Sequence, residues 1–225
     1  YVRSRALETP SHELSSILDS LRRRFDAYYF LGTRSSILYL PLRLTGRKVV
    51  VHTDGIEWKR RKWGKAGRSY LKASEWIAAR LAARVLVTDA EAMRRYYLER
   101  YDRDSRFIPY GAPVLHDVDL TPLSQWGLET DGYHLVVCRM EPENTGDIII
   151  REFLASRSSR ELVIVGSTNY RTEYHRYLRG LASPKVRFLG AVYGTELQAL
   201  RSGAFAYIHG HEVGGTNPSL LEAMG

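Results

Sequence analysis

Short apolar runs rich in β-branched and aromatic residues alternate along this chain with longer segments of helical period. The runs are Ala27–Leu31, Lys48–His52, Arg84–Thr88, Arg106–Tyr110, Tyr133–Arg139, Glu161–Gly166, Val186–Leu189 and Ala204–His209. The clearest helical stretches are Ser69–Ala83, Ala90–Tyr101, Asp147–Ser156, Tyr170–Ala182 and Thr195–Ser202. Strands separated by helices pair in parallel through crossovers, so the alternation predicts βαβ units. The runs are continuously apolar, which requires helices on both faces of each sheet. The α/β class follows before any single residue is interpreted.

One stretch breaks the rhythm. Ala112–Asp131 carries Pro113, Pro122, Gly127 and several acids without a clear period. It reads as a linker between two Rossmann-like blocks, giving an N-terminal domain over 1–111, a linker over 112–132 and a C-terminal domain over 133–225. The first block lacks an opening Gly-rich turn, and the last segment, Leu220–Gly225, stops within an amphipathic pattern with no C-terminal stop signal. Both domains are therefore expected to be incomplete, as in an internal piece of a longer protein.

Composition narrows the class further. The 225 residues are 44% apolar and 26% charged, which excludes a disordered chain. A single cysteine, Cys138, excludes a disulfide framework and a multi-thiolate metal site. No apolar run approaches the ~18 residues of a membrane span, and no signal-peptide pattern opens the chain. The expectation is a cytoplasmic, basic, globular protein with a net charge of +8.

In open α/β sheets ligands sit beyond the carboxyl ends of the strands, so the polar residues after each run are the candidates. His52 and Asp54 follow one strand and can meet an acceptor hydroxyl, although a structural histidine has the same appearance. Arg139 follows another and can offer its fork to a diphosphate; a surface pair with Glu141 or Glu143 is the alternative. His209 through Pro218 follows the last strand. Gly214 and Gly215 allow close backbone approach, and Asn217-Pro218 starts a helix, with Asn as N-cap and Pro at the first position. Such a helix start suits phosphate, and Glu222, about one turn further, can accept from sugar hydroxyls; an ordinary strand–turn–helix corner looks alike. The basic run Lys59–Lys62, with Lys65 and Arg68 and flanked by Trp58 and Trp63, is a solvated face, an anionic-membrane contact or a nucleic-acid patch. No nucleic-acid motif accompanies it, and that reading ranks last.

Several strings resemble one group of bacterial enzymes. Asp54-Gly55-Ile56-Glu57-Trp58-Lys59-Arg60, Ile108-Pro109-Tyr110-Gly111-Ala112, Arg139-Met140-Glu141-Pro142-Glu143-Asn144 and Gly210–Gly225 are similar, in this order, to rhamnosyltransferase-like members of glycosyltransferase family 4, which carry the domain formerly called unknown function 1972. The resemblance runs from about Phe25 to the last residue. It implies a glycosyltransferase-B fold, two Rossmann-like domains facing a cleft, here truncated at both ends. It implies a metal-independent hexosyltransferase without a cofactor. That enzyme moves a rhamnose-like sugar from a nucleotide-diphosphate donor to a glycan or lipid-linked acceptor in cell-surface polysaccharide synthesis. A peripheral place on the inner face of the membrane goes with it, and nucleic acid is not an expected partner.

The same resemblance assigns residues. Arg139 and the amides around Gly215 and Thr216 match positions that stabilise the departing diphosphate, Glu222 the ribose contact, Val192 the base cradle and His52 a position near the transferred sugar. Two departures stand out. The first glutamate of the family's pair falls on Gly214, with Glu212 two residues earlier, so the sugar contact is expected to draw on Thr216 and Asn217. The family's lysine after the arginine is replaced at Asn144 and Thr145. A chain missing the opening loop and the returning C-terminal helix is expected to be inactive alone. The rival reading is a nucleotide-sugar-binding module without catalysis.

Overall fold

The computed structural model describes residues 8–23, 25–168 and 172–225, which form two compact units. The first runs to Tyr110 and includes Val213–Thr216; the second holds Gly111–Glu212 and Asn217–Gly225.

Unit 1 is built on four parallel strands, β1 (Tyr28–Leu31), β2 (Val49–His52), β3 (Val85–Thr88) and β4 (Arg106–Phe107), side by side in chain order. Their register places Phe30 beside Val51, Val51 beside Leu86, and Val87 beside Arg106. Around the sheet lie α1 (Glu8–Arg22), α2 (Leu40–Leu44), α3 (Lys65–Ile77) and α4 (Glu91–Tyr101). The core joins Val49, Val51 and Leu86 of the sheet to Leu42, Tyr97 and the alanines that follow α3. Those alanines, Ala78, Ala79 and Ala82, sit in a π-helical turn and are fully buried, because side chains of one carbon let that turn lie flush on the strands. Asp102 ends α4 in the left-handed conformation, φ +47°, with its N–H on the Tyr97 carbonyl.

Unit 2 repeats the plan with β5 (Tyr133–Val137), β6 (Glu161–Val165), β7 (Val186–Gly190) and β8 (Ala206–Tyr207), in the parallel order β7-β6-β5-β8. The jump from β7 across the sheet to β8 reverses the direction of winding, the switch that opens a crevice beyond β5. The helices are α5 (Gly146–Ala155), α6 (Glu173–Gly180), α7 (Gly194–Ser202) and α8 (Pro218–Met224). Neighbouring residues of the central strands enter different cores. Leu135, Val163 and Val165 pack with Leu200 of α7, whereas Val136 and Ile164 pack with Ile150 and Phe153 of α5 and Leu178 of α6. Two covered faces explain the continuously apolar strands.

Each expected run contains a strand, but β4 and β8 shrink to two residues each. Pro109, which has no N–H, limits the first. The segment expected as a linker is partly ordered on unit 2. Thr121–Trp126 forms a 3₁₀ helix that buries Leu123, and the Asp119 carboxylate accepts from the Thr121 N–H and hydroxyl, both at 2.9 Å. The helix expected from Tyr170 starts at Glu173; Tyr170 and Arg171 lie outside the described residues.

Candidate functional site

A cavity of about 730 Å³ opens beyond the carboxyl ends of the unit 2 strands. Arg139 after β5, Val192 after β7, Asn217 at the start of α8 and Glu222 further along it all line it, so four of the sequence candidates meet in one place. Arg201 of α7 and His211 line it as well, and neither was singled out from sequence. Glu212, Gly214, Gly215 and Thr216 are not among its lining residues.

Two hydrogen-bond chains shape this cavity. The Asn144 side chain donates to the Arg139 carbonyl at 2.7 Å, which fixes the turn after β5. A carbonyl can only accept, so Asn144 presents its amide nitrogen there and its Oδ1 accepts from His211 Nδ1–H at 2.8 Å. Thr145, at φ +49°, donates its hydroxyl to the Gly210 carbonyl at 2.7 Å. A Cβ on Gly210 would collide with that hydroxyl, which is why a glycine stands there. Asn144 and Thr145, where the family resemblance leads one to expect a lysine, thus tie the β5–α5 turn to the loop after β8.

The second chain holds α8. Arg201 pairs with the Glu222 carboxylate and donates to Ser219 Oγ at 3.2 Å. Ser219 Oγ lies 2.9 Å from the Tyr207 hydroxyl, which donates to the Val137 carbonyl at 3.2 Å. Since Tyr207 spends its one proton on Val137, Ser219 must donate to Tyr207. Asn217 caps α8 by accepting from the Ser219 N–H at 2.9 Å, with Pro218 next in the helix. Beside Arg139, burial pushes the Cys138 thiol up to about 11, so it lines the cavity as a neutral group. Among the described residues, two guanidiniums and a single carboxylate line the cavity, a balance that suits an anionic ligand, and Val192, 8% exposed, adds an apolar wall.

In unit 1 the ends of β2 and β3 hold His52, Thr53 and Asp89, all at least nine-tenths buried. His52 Nε2, Thr53 Oγ1 and Asp89 Oδ1 have no hydrogen-bond partner among the described residues. The rings of Tyr110 and Tyr29 lie 5.8 and 6.4 Å from that of His52. Asp54 adopts a left-handed backbone, φ +53°, and its exposed carboxylate reaches Arg60 only at 3.9 Å. The Gly215 N–H donates to the Asp54 carbonyl at 2.9 Å, and the Thr216 N–H to Asp89 Oδ2 at 2.8 Å. The two amides that the resemblance gives to a diphosphate therefore have acceptors in this structure. Gly55 leaves no room for a Cβ against the Gly214 backbone. Asp89 escaped sequence reading because a carboxylate after a strand, followed by a helix, looks like a helix N-terminal residue.

The string around Glu57 is a set of internal contacts. Glu57 accepts from Arg60 at 2.7 Å and from the Trp63 indole at 3.2 Å, with Lys62 at 3.3 Å and Arg34 at 3.5 Å. Glu75 of α3 is 1% exposed and its Oε1 accepts from Trp58 at 3.4 Å, Tyr96 at 2.7 Å and Tyr101 at 2.5 Å. The Lys72 ammonium lies 4.5 Å from the centre of the Trp58 ring. Both indole N–H groups are thus used inside the fold.

A family model described as a domain of unknown function, DUF1972, matches residues 29–113, which covers all but the first residue of the unit 1 sheet. No curated protein matches the chain by sequence. Solved structures do match. HepE of Anabaena in complex with UDP superposes with a TM-score of 0.73 at 15% identity, covering 100% of this chain and 64% of its own. Sucrose-phosphate synthase of Thermosynechococcus elongatus gives 0.77 at 15%, covering 100% and 60%. A mutant of S. aureus TarM, in complex with fondaparinux, alpha-GlcNAc-glycerol and UDP, gives 0.67 at 14%, covering 94% and 43%. The fold is that of the glycosyltransferase-B enzymes. The chain spans about three fifths of the length of HepE and sucrose-phosphate synthase. No helix among the described residues is long and apolar enough to cross a membrane.

Proposed function

We propose that this chain belongs to a nucleotide-sugar-dependent glycosyltransferase of family 4, in the rhamnosyltransferase-like group. It would transfer a rhamnose-like hexose to a glycan or lipid-linked acceptor in cell-surface polysaccharide synthesis. The observation that carries this reading is the unit 2 cavity, in which Arg139, Arg201, His211, Asn217 and Glu222 surround a space of about 730 Å³ next to Val192. The structural likeness to proteins solved with UDP, and with UDP and glucose, supports a nucleotide-sugar donor.

In this reading Arg139 meets the diphosphate, where a preorganised donor stabilises charge as the leaving group departs. Glu222, oriented by Arg201, accepts from ribose hydroxyls, and His52 and Asp54 serve the acceptor side. Protein cations take the role a metal would otherwise fill, so chelator is expected to leave turnover unchanged. Any contact with an anionic inner leaflet rests on the exposed charges of Lys59, Arg61, Lys65 and Arg68, because the neighbouring indoles are engaged internally.

The test is a thermal-shift and calorimetry panel of UDP, dTDP and GDP and their sugars on the full-length protein, without metal. A ligand at 100 times its Kd adds ~2.7 kcal/mol to native stability. One nucleotide series should shift the melt, and Arg139→Ala should weaken it by tenfold or more. No shift with any nucleotide would remove the reading. Binding by the full-length protein without transfer or donor hydrolysis would favour the non-catalytic module.

A further inference from the structure

We propose that unit 1 carries a separate phosphate-binding cleft, at the end of its sheet opposite to His52. The cleft encloses about 590 Å³, within the range of small-molecule sites. Arg84 precedes β3 and Arg106 opens β4, so both side chains leave from the amino ends of strands, whereas His52 closes β2 and Asp89 follows β3. Arg94 of α4 and Arg103 complete the cationic wall, and Asp104 is the only carboxylate among the described lining residues.

The partners of these groups show which charges remain for a ligand. Arg94 is committed: its Nε and terminal nitrogen donate to the two Asp104 oxygens at 2.9 and 3.3 Å, with Glu91 at 3.9 Å. That pairing, with the Ser105 N–H on Asp104 Oδ1 at 2.8 Å, holds the Asp104 carboxyl below the usual carboxylate range. Arg103 donates to the carbonyls of Ala83 and Arg84 at 3.0 and 2.9 Å. Neutral carbonyls fix its guanidinium beside the cleft without cancelling its charge. Arg84 and Arg106 are exposed, and neither side chain makes a hydrogen bond or ion pair among the described residues.

Arg84 and Arg103 face the opening with no carboxylate in ion-pair contact among the described residues, and Arg106 feels Asp104 only through space, so these three guanidiniums suit a multiply charged anion. Phosphate oxygens match the planar fork bidentately, and Arg is the residue best suited to them. Val85, Leu86 and Phe107, the last 43% exposed, form the apolar part of the wall. The ligand class is therefore a phosphate or diphosphate ester with an apolar body. A soluble ester and a phospholipid headgroup share that chemistry.

Calorimetry with inorganic pyrophosphate, on the wild type, the Arg84→Ala/Arg106→Ala variant and the Arg139→Ala variant, tests the site. The last controls for binding in unit 2. Circular dichroism checks that the double variant is folded. Pyrophosphate binding that survives Arg139→Ala, falls at least tenfold in the double variant and weakens from 50 to 500 mM salt supports the cleft and a soluble ester. Sedimentation with phosphatidylcholine vesicles containing one fifth phosphatidic acid tests the headgroup. Binding there, lost in the double variant and absent with pyrophosphate, supports the cleft with a lipid source. Wild type that binds neither probe, or a folded double variant that binds either with undiminished affinity, overturns the proposal.

Discussion

Cys138 illustrates how a single residue reports on the unit 2 cavity. Burial raises its thiol from 9.0 to about 11. In the unfolded chain the thiol ionises near its ordinary value, so between pH 9 and 11 only the unfolded state has lost that proton. Stability must therefore fall as pH rises through this window. Urea melts of wild type and Cys138→Ala should diverge there, the variant losing less stability than wild type between pH 9 and 11. Parallel curves would mean that the thiol ionises alike in both states. Tyr207 tests the polar chain beside it. Tyr207→Phe removes the donor to the Val137 carbonyl and the acceptor of the Ser219 proton. A loss of ~1–2 kcal/mol is expected, the cost of unmaking one or two partly buried hydrogen bonds, and a urea titration that detects no change would show the chain to be idle.

At the scale of elements, Glu75 joins pieces distant in sequence: the loop carrying Trp58, helix α3, and Tyr96 and Tyr101 on α4. Glu75→Ala leaves three donors without their acceptor in a buried place. The expected cost is ~2–4 kcal/mol in chemical denaturation, with Trp58 emission moving toward that of exposed indole. Glu75→Gln, which keeps an acceptor oxygen, should lose less. Equal losses in both variants would locate the effect in the charge and not in the hydrogen bonds. This network also marks where sequence legibility ends. Strands such as Val49–His52 and Tyr133–Val137 were readable because a sheet covered on both faces demands an unbroken apolar run. Asn217-Pro218 was readable because capping is a local matter of adjacent residues. Arg201 sits on one helix and Glu222 on another, and nothing in the spacing of either announces the pair. Asp89 and Glu75 likewise gain their meaning from residues far along the chain. Trp58 and Trp63 flank a basic run that from sequence fits a solvated face as well as a membrane contact, and their N–H groups serve carboxylates that tertiary contacts supply.

At the scale of the whole chain, the two units have separate cores and separate sheets, so a ligand of one should be felt there first. The residues that line the Arg139 cavity all belong to unit 2. On the proposed reading, a nucleoside diphosphate would contact residues at the ends of β5, β6 and β7 and on α7 and α8, which all lie in unit 2. Protection against amide hydrogen exchange depends on the free energy of the local opening that exposes each amide. Ligand binding raises that energy only for openings that dissolve the site. With a nucleoside diphosphate at 100 times its Kd, such openings become ~100-fold rarer, equivalent to ~2.7 kcal/mol. Hydrogen-exchange mass spectrometry should then show slowed exchange in peptides from 133–144, 186–201 and 217–225, while peptides from 28–31, 49–52 and 85–88 keep their rates. Pyrophosphate bound at the arginine cleft should do the reverse, slowing exchange at 84–88 and 103–107 and leaving 133–144 untouched. If both ligands slow exchange in the same peptides, the Arg139 cavity and the arginine cleft are not independent sites. If the nucleotide slows only unit 1, the assignment of the donor to the Arg139 cavity fails, whatever the affinity measured.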